Sequence, residues 1–245
     1  VLTRVEQPLQ YGIVITDEES RITRFLEKPS WGEVFSDTIN TGIYILEPEV
    51  LDLIPERSEF DFGKDLFPKM LEQGMPIFGI TAEGYWKDVG NLDEYQQAHM
   101  DVLNNVVKVD IPGEVCDSSV CGGSLELAPS AHLAGLVVLG NNVRIGENAY
   151  LSNCVLGNNV TIGAGTRMRG TVVWDNTTIG SFSELANDVI CNDVRVGHHV
   201  AVLDNVFIAE ECEIQDHARL LSNIKLWPRK TVEREAVLSR SLVQE

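Results

Sequence analysis

Four short stretches in the first 90 residues carry side chains that could handle a charged ligand. Phe25-Leu26-Glu27-Lys28-Pro29 sets a carboxylate beside an ammonium. Asn40-Thr41-Gly42-Ile43-Tyr44 places two polar side chains ahead of a glycine. Gly84-Tyr85-Trp86-Lys87-Asp88-Val89-Gly90 carries a carboxylate between glycines, and Tyr11-Gly12-Ile13-Val14 holds a glycine inside a β-rich run. A flexible lysine suits a phosphate as a point charge. Mg²⁺ takes few protein carboxylates and shares its shell with phosphate oxygens and water. A glycine inside a strand often marks close approach of another group. Each stretch also has a plainer reading. Glu27-Lys28-Pro29 could be a strand-end salt bridge followed by a turn, Gly12 a bulge, and Asn40-Thr41 a strand-entry turn.

The elements that would position these residues alternate between strand and helix. Tyr11–Thr16 and Ile22–Leu26 read as a hairpin around the turn chemistry of Asp17-Glu18-Glu19-Ser20. Thr41–Leu46 and Ile77–Thr81 read as further strands. Pro48 stands near a helix start that continues through Ile54. Asp61 could cap a helix over Phe62–Gln73, with Gly74 ending it. Asn91 could cap Leu92–Leu103. Residues 1–103 therefore read as an α/β domain seen from its middle onward.

Residues 104–124, with Pro112, Gly113, Gly122 and Gly123, read as a connector. From 125 to 245 an aliphatic residue recurs every six positions. Leu139, Leu156, Val173 and Ile190 are spaced by 17. So are Ile145, Ile162, Ile179 and Val196, and Leu151, Met168, Leu185 and Val202. The next step in each series is 18. Three hexads with one shortened corner make one coil of a triangular prism, the hexapeptide-repeat parallel β-helix. The aliphatic member points inward, and the small residue that often follows it is expected to let the chain turn the corner. About six or seven coils at a strand separation of about 4.8 Å make a prism on the order of 30 Å long.

In order and spacing, these stretches resemble the sugar-phosphate half of a nucleotide-sugar pyrophosphorylase. The resemblance is closest to mannose-1-phosphate guanylyltransferases, especially long forms fused to a phosphomannomutase-like domain. It implies a Rossmann-like nucleotidyltransferase domain, here its distal part, and a left-handed β-helix. Parallel crossovers are otherwise right-handed, so the hand comes from the resemblance alone. It implies that Lys28 contacts the phosphate of a sugar 1-phosphate and that Glu27 accepts hydrogen bonds from sugar hydroxyls. Gly12 would approach the sugar, Asn40 and Thr41 would bond its ring, and Asp88 would help hold Mg²⁺. The implied reaction joins GTP and mannose 1-phosphate into GDP-mannose and pyrophosphate. Alternatives are a glucose-1-phosphate nucleotidyltransferase and a non-catalytic scaffold or regulatory subunit of the same architecture.

Family members hold the nucleotide on a Gly-rich loop of the form GGxGTRLxPLT, whose N–H groups can approach phosphate closely. The chain opens on Val1-Leu2-Thr3-Arg4-Val5, read as the middle of a strand, and contains no such loop. It is expected to be a fragment lacking the nucleotide-binding half. With 37 acidic and 19 basic residues the net charge is −18, which repels nucleic acid and anionic membrane. No run is long enough for a membrane span. The five scattered cysteines, with no CxxC pair, read as reduced thiols in a cytoplasm. Hexapeptide prisms also occur in acyltransferases, which need a general base beside a cofactor cleft. The regular spacing leaves no room for the loop that would complete such a cleft, so His132, His198, His199 and His217 read as surface residues. The prism is expected to serve stability and homo-oligomeric assembly. These 245 residues are expected to release no pyrophosphate from GTP and mannose 1-phosphate with Mg²⁺. Turnover in the usual enzyme range of about 1–10³ per second would overturn the fragment reading.

Overall fold

The computed structural model describes residues 1–116 and 119–242 and divides them into two compact units, Val1–Asp88 and one beginning at Val89. The first unit is built on a four-stranded sheet. Its strands are β1 (Leu2–Arg4), β2 (Gly12–Thr16), β3 (Ile22–Glu27) and β4 (Thr38–Asn40), in the order β1-β4-β2-β3. All three pairings are antiparallel. The expected hairpin is present, with Gly12 opposite Glu27 and Ile13 opposite Leu26. Ile13 and Ile39 face each other fully buried at the centre of the sheet.

Two expected strands are not strands. At Thr41–Leu46 the ladder with β1 runs out. The N–H of Thr41 still reaches the Val1 carbonyl, but Gly42 then takes a left-handed φ of 80°. Beyond it Ile45 is 98% exposed. The strand lies just upstream, as β4. Ile77–Thr81 makes only single bridges, Thr81 with Leu2 and Phe78 with Arg21. It spans two sheet strands that are not neighbours, so no continuous ladder can form along it.

The helices start where the sequence places their caps. Pro48 opens α1 (Pro48–Leu51), which is shorter than expected. Asp61 accepts a hydrogen bond from the N–H of Lys64 at 2.8 Å, while its own N–H donates to Asp65. Phe62–Leu66 is a π-helical turn that runs into α2 (Phe67–Glu72). Pro68 has no N–H for the Lys64 carbonyl, which favours the wider turn. Gly74, at a φ of 70°, ends the segment. Leu66, Phe67, Met70 and Val50 form the core against this sheet, with Phe25, Tyr44 and Ile77 packed on it.

The second unit is a parallel β-solenoid of three seven-rung faces, flanked by α3 (Leu92–Leu103). The register matches the counted spacing: Leu139 stacks on Leu156, Ile145 on Ile162 and Leu151 on Met168. The first rung is Ser119–Cys121, parallel to Val137–Leu139. The prism thus begins six residues ahead of Leu125, inside the expected connector. The six-residue beat continues through Leu226, Val232 and Leu238. Residues 243–245 and the Cys116 side chain lie outside the described part. The thiols of Cys121, Cys154, Cys191 and Cys212 are free, and burial pushes those of Cys154 and Cys191 up to about 11.

The corners work differently from the expectation. The residue in the left-handed region is two or three places past the inward aliphatic, and in eight corners it is asparagine, from Asn142 to Asn223. Asparagine tolerates this conformation better than most residues. Its amide also bonds the corner above, as in Asn142 to Asn159 at 3.0 Å and Asn159 to Asn176 at 2.9 Å. The small residue serves close stacking instead. A Cβ on Gly140 would lie 2.6 Å from the Gly157 carbonyl carbon, and Gly163 and Gly180 are as tightly covered by backbone.

Asn91 caps α3 by accepting from the N–H of Glu94 at 2.9 Å. Tyr95 of this helix packs on Val172, Val189 and Phe207, and its hydroxyl accepts from the Trp174 indole at 2.9 Å. The four prism histidines are exposed, as expected. His198 accepts the Ser181 N–H on Nδ1, and His199 stacks between Phe182 and His217.

One carboxylate is fully enclosed in the prism. The Asp188 carboxylate accepts the N–H groups of Ala186 and Val206 at 2.8 and 2.9 Å. Burial nevertheless holds its pKa well above the ordinary carboxylate range. A folded-state pKa above the unfolded one gives stability that is complete below the unfolded value of about 4 and falls as pH rises towards the folded value. Threonine occupies the same place one coil earlier, at Thr171. The urea midpoint of the wild-type chain should therefore fall from pH 5 to pH 8, and Asp188→Thr should flatten that slope. A slope unchanged by the substitution would assign the pH dependence elsewhere.

Candidate functional site

Four of the six residues singled out in the sequence lie around one end of the β2–β3 hairpin or across from it. Glu27 is the last residue of β3 and pairs with Gly12. Its carboxylate is boxed by two glycines. A Cβ on Gly12 would meet Glu27 Oε2 at 2.6 Å, and one on Gly63 would meet the same oxygen at 2.5 Å. Neither glycine has a positive φ, so each is needed for space and not for backbone conformation. Gly63 is placed there by the π-helical turn, which also brings Asp61 within 3.3 Å of that position.

The electrostatics follow from this grouping. Burial raises the pKa of Glu27, Asp61 raises it further, and Lys28 and Lys64 oppose the shift. Tyr44 is also raised, by burial first and then by Glu27 and Asp61, against the Asn40 hydrogen bond. The Asn40 amide donates to the Tyr44 hydroxyl at 2.6 Å, and Asn40 Oδ1 accepts from the Gly42 N–H at 3.1 Å. Phe62 and Phe67 stand edge-on to the Tyr44 ring. The result is two carboxylates, a phenol and an amide flanked by two lysines. Such a set can accept from several hydroxyls and offer positive charge to an anion.

Lys28 is exposed and sits at a left-handed φ of 45°, its N–H donating to the Tyr11 carbonyl at 3.0 Å. For a residue with a Cβ this conformation costs roughly 1–2 kcal/mol, and such outliers gather at functional sites. The turn carries the chain off the sheet immediately after Glu27, into buried Pro29 and the Ser30–Glu33 capping box.

The structure does not gather the remaining two. The Thr41 hydroxyl donates to the Val1 carbonyl at 2.9 Å. Asp88 is exposed at the end of the unit. The segment before it returns to the hairpin, where Trp86 packs edge-on against Tyr11. Among the described residues no group of three His, Cys, Asp or Glu is placed to hold a metal ion. Asp88 offers one carboxylate, a thin protein share even for Mg²⁺.

Three members of the cluster, Tyr44, Asp61 and Lys64, were not singled out for chemistry from the sequence. Tyr44 belongs to a quoted motif, and Asp61 was legible only as a helix cap. An apolar cavity of about 460 Å³ opens beside Asn40 and Tyr44, walled by Leu2, Phe25, Val50, Phe67 and Met70. No lysine or arginine lines it, so it does not suit an anion.

Residues 1–105 match the nucleotidyl transferase family, and residues 121–220 match the LbH domain of the EIF2B epsilon subunit. The chain is 38% identical over 144 residues to a UTP–glucose-1-phosphate uridylyltransferase of Synechocystis, covering 55% of this chain and 37% of that protein. It is 32% identical over 156 residues to a mannose-1-phosphate guanylyltransferase of Mycobacterium tuberculosis, covering 63% and 43%. It is 41% identical over 105 residues to a glucose-1-phosphate adenylyltransferase of Halalkalibacterium halodurans, covering 40% and 27%. The chain spans less than half the length of each of these curated relatives. No described helix is long and apolar enough to cross a membrane. By fold, the chain is a nucleotidyltransferase-type α/β unit followed by a left-handed β-helix of about seven turns.

Proposed function

We propose that the first unit binds the sugar 1-phosphate of a cytoplasmic nucleotidyltransferase reaction, with mannose 1-phosphate and GTP as the substrates. The observation that carries this reading is the juxtaposition of Glu27, Asp61, Tyr44 and Asn40 with Lys28 and Lys64. Hydroxyl acceptors beside paired cations fit a molecule with a polyol body and a phosphate. In the reaction a sugar phosphate oxygen forms a bond to the α-phosphorus of the nucleotide. The bond from that phosphorus to the bridging oxygen breaks, and pyrophosphate leaves. Two anions must be brought together, so fixed cations and positioning carry most of the work.

Lys28 takes the phosphate. Glu27 orients the sugar by accepting from its hydroxyls, and Asp61 and Tyr44 complete that side. The left-handed turn at Lys28 carries the chain off the sheet directly after Glu27. Mg²⁺ would neutralise phosphate charge, with Asp88 as one ligand and phosphate oxygens and water as the rest. Glucose 1-phosphate is the alternative sugar, since two of the relatives named above act on it. A non-catalytic subunit of the same architecture is the second reading, and the β-helix matches a domain named for a subunit of EIF2B.

Calorimetric titration of the chain with mannose 1-phosphate, glucose 1-phosphate and free mannose tests these readings together. The phosphorylated sugars should bind and free mannose should not. Lys28→Ala should weaken binding about ten- to a hundredfold, the worth of a charge-assisted contact of roughly 1.5–3 kcal/mol. No binding of either sugar phosphate would favour the non-catalytic subunit.

Gly12→Ala probes the hydroxyl side. The added methyl meets Glu27 Oε2 and the Phe25 ring inside van der Waals distance. It should displace the carboxylate, weaken sugar phosphate binding and cost about 1–3 kcal/mol of stability. Glu27→Gln should weaken binding without that loss, because it removes a carboxylate held partly out of water near Asp61. Thermal melts of the two variants, set beside their titrations, check the contrast. If Glu27→Gln binds like the wild type, the carboxylate has no place in the site.

A further inference from the structure

We infer that the recess between Trp174 and Trp227 on the β-helix is a second binding site, and that its ligand is a planar aromatic molecule carrying one anionic group. Every residue lining the recess belongs to the second unit, so the inference stands apart from the sugar-phosphate reading.

The recess follows from the order of side chains on one prism face. Each rung of that face turns two side chains outward, one on either side of the buried aliphatic. The column ahead of the aliphatic reads Val172, Val189, Phe207 and Lys225. The column after it reads Trp174, Cys191, Ala209 and Trp227. Two small side chains therefore lie between two tryptophans. Trp174 and Trp227 are three rungs apart, about 14 Å at the usual strand separation. Phe207 borders the hollow on one side, and Tyr95 with residues 89–92 closes it from the side of α3. The enclosed volume is about 600 Å³, within the range of small-molecule sites.

The walls are set without a ligand. The Trp174 indole donates to the Tyr95 hydroxyl at 2.9 Å, and the two rings stand edge-on at 6.1 Å. Trp174 and Trp227 nevertheless remain 38% and 45% exposed. Two large apolar side chains left open around a hollow mark a surface that something covers. The tryptophans also block both ends along the prism, so a partner's strand or helix cannot lie along it. A compact molecule is the occupant that fits.

The lining decides the chemistry of that molecule. Four aromatic rings around one space favour a flat ring, stacked or edge-on. The surface between them is almost entirely carbon. A ribose or a free sugar would lose water there and find few hydrogen-bond partners, which sets this ligand apart from a nucleotide and from a sugar phosphate. Lys225 supplies the charge. Its ammonium lies 5.9 Å from the centre of the Phe207 ring, at the C-terminal end of the recess. Among the described residues it makes no ion pair, and no other lysine or arginine lines the hollow. Burial, and after it the Glu210 carboxylate, raises the Cys191 thiol. Negative charge near Cys191 turns an anion away from that end. The anionic group accordingly sits at Lys225, with the rings over Cys191 and Ala209.

Titration of the 245-residue chain with anilinonaphthalene sulfonate, read by energy transfer from tryptophan to the dye, tests the inference. Phenylnaphthylamine, the same ring system without the sulfonate, is the neutral counterpart. The sulfonate should bind saturably at one site per chain. Lys225→Met should weaken the sulfonate roughly three- to tenfold, the effect of one exposed charge, and leave the neutral dye unchanged. Trp227→Ala should weaken both dyes about tenfold by removing one wall, and Ala209→Trp should abolish both by filling the floor. Octyl sulfate, an anion with a flexible alkyl body, should compete at least about tenfold less well than the sulfonate dye binds. All three positions are open to solvent at least in part, and far-ultraviolet circular dichroism checks that each variant keeps its fold. Absence of saturable binding, or binding indifferent to Trp227→Ala and Ala209→Trp, would overturn the site. A Lys225→Met variant that treats the two dyes alike, or octyl sulfate competing as well as the aromatic anion, would overturn the ligand class.

Discussion

Stacking in register is the constraint on which the β-helix depends. A prism of this kind has no interior apart from its inward column, and every inward residue touches the same position one coil above and below. Leu156 lies between Leu139 and Val173, and Ile179 between Ile162 and Val196. Each coil must repeat the cross-section of its neighbour, so an error in one coil is felt by both. This explains why the corner residues are specialised. From Gly135 to Glu235 a left-handed residue at each corner closes the triangle, and where it is asparagine its amide can tie one corner to the next. The glycines beside the corners answer a separate demand, the near-contact of backbone between coils.

In the first unit the governing feature is a carboxylate kept partly out of water beside a second one. Asp61 adds to the cost of charging Glu27, and Lys28 and Lys64 offset it only in part. A fold selected for stability alone would not gather these groups. Gly12 and Gly63 give up packing to leave the Glu27 oxygen its space, and Lys28 holds a backbone conformation normally left to glycine. Several small costs converge on one place, which is why the binding site is proposed there. The strand-end salt bridge considered from the sequence explains neither the two glycines nor Asp61.

The two units use glycine and asparagine for unlike reasons, and this sets how far each can vary. In the prism the same need recurs at every coil, so a substitution can be judged from its neighbours one coil away, as Thr171 informs Asp188. In the α/β unit no position repeats, and each residue must be judged from its own contacts. The helix α3 belongs with the prism it covers. Its Tyr95–Trp174 hydrogen bond and the valines beneath it cover the middle of that face.

The sequence by itself determined the prism almost completely. A 17-residue spacing of aliphatic residues is a direct image of parallel stacking, because each coil lies over the next with no freedom of register. It also placed the caps at Asp61 and Asn91 and the hairpin that carries Glu27, since caps and turns are set by neighbours in the chain. It singled out Gly12, Glu27, Lys28 and Asn40 through their motifs, and the fold brings these four near one another. It misjudged Thr41–Leu46 and Ile77–Thr81, because a β-rich run becomes a strand only where a partner lies beside it. It assigned the corner turn to the small residues, because both readings give the same six-residue beat. Only the tertiary structure decided that Tyr44, Asp61 and Lys64 join Glu27 and that Thr41 turns to the Val1 carbonyl. Those contacts join segments far apart in the chain, and no local propensity or spacing encodes the distance between them.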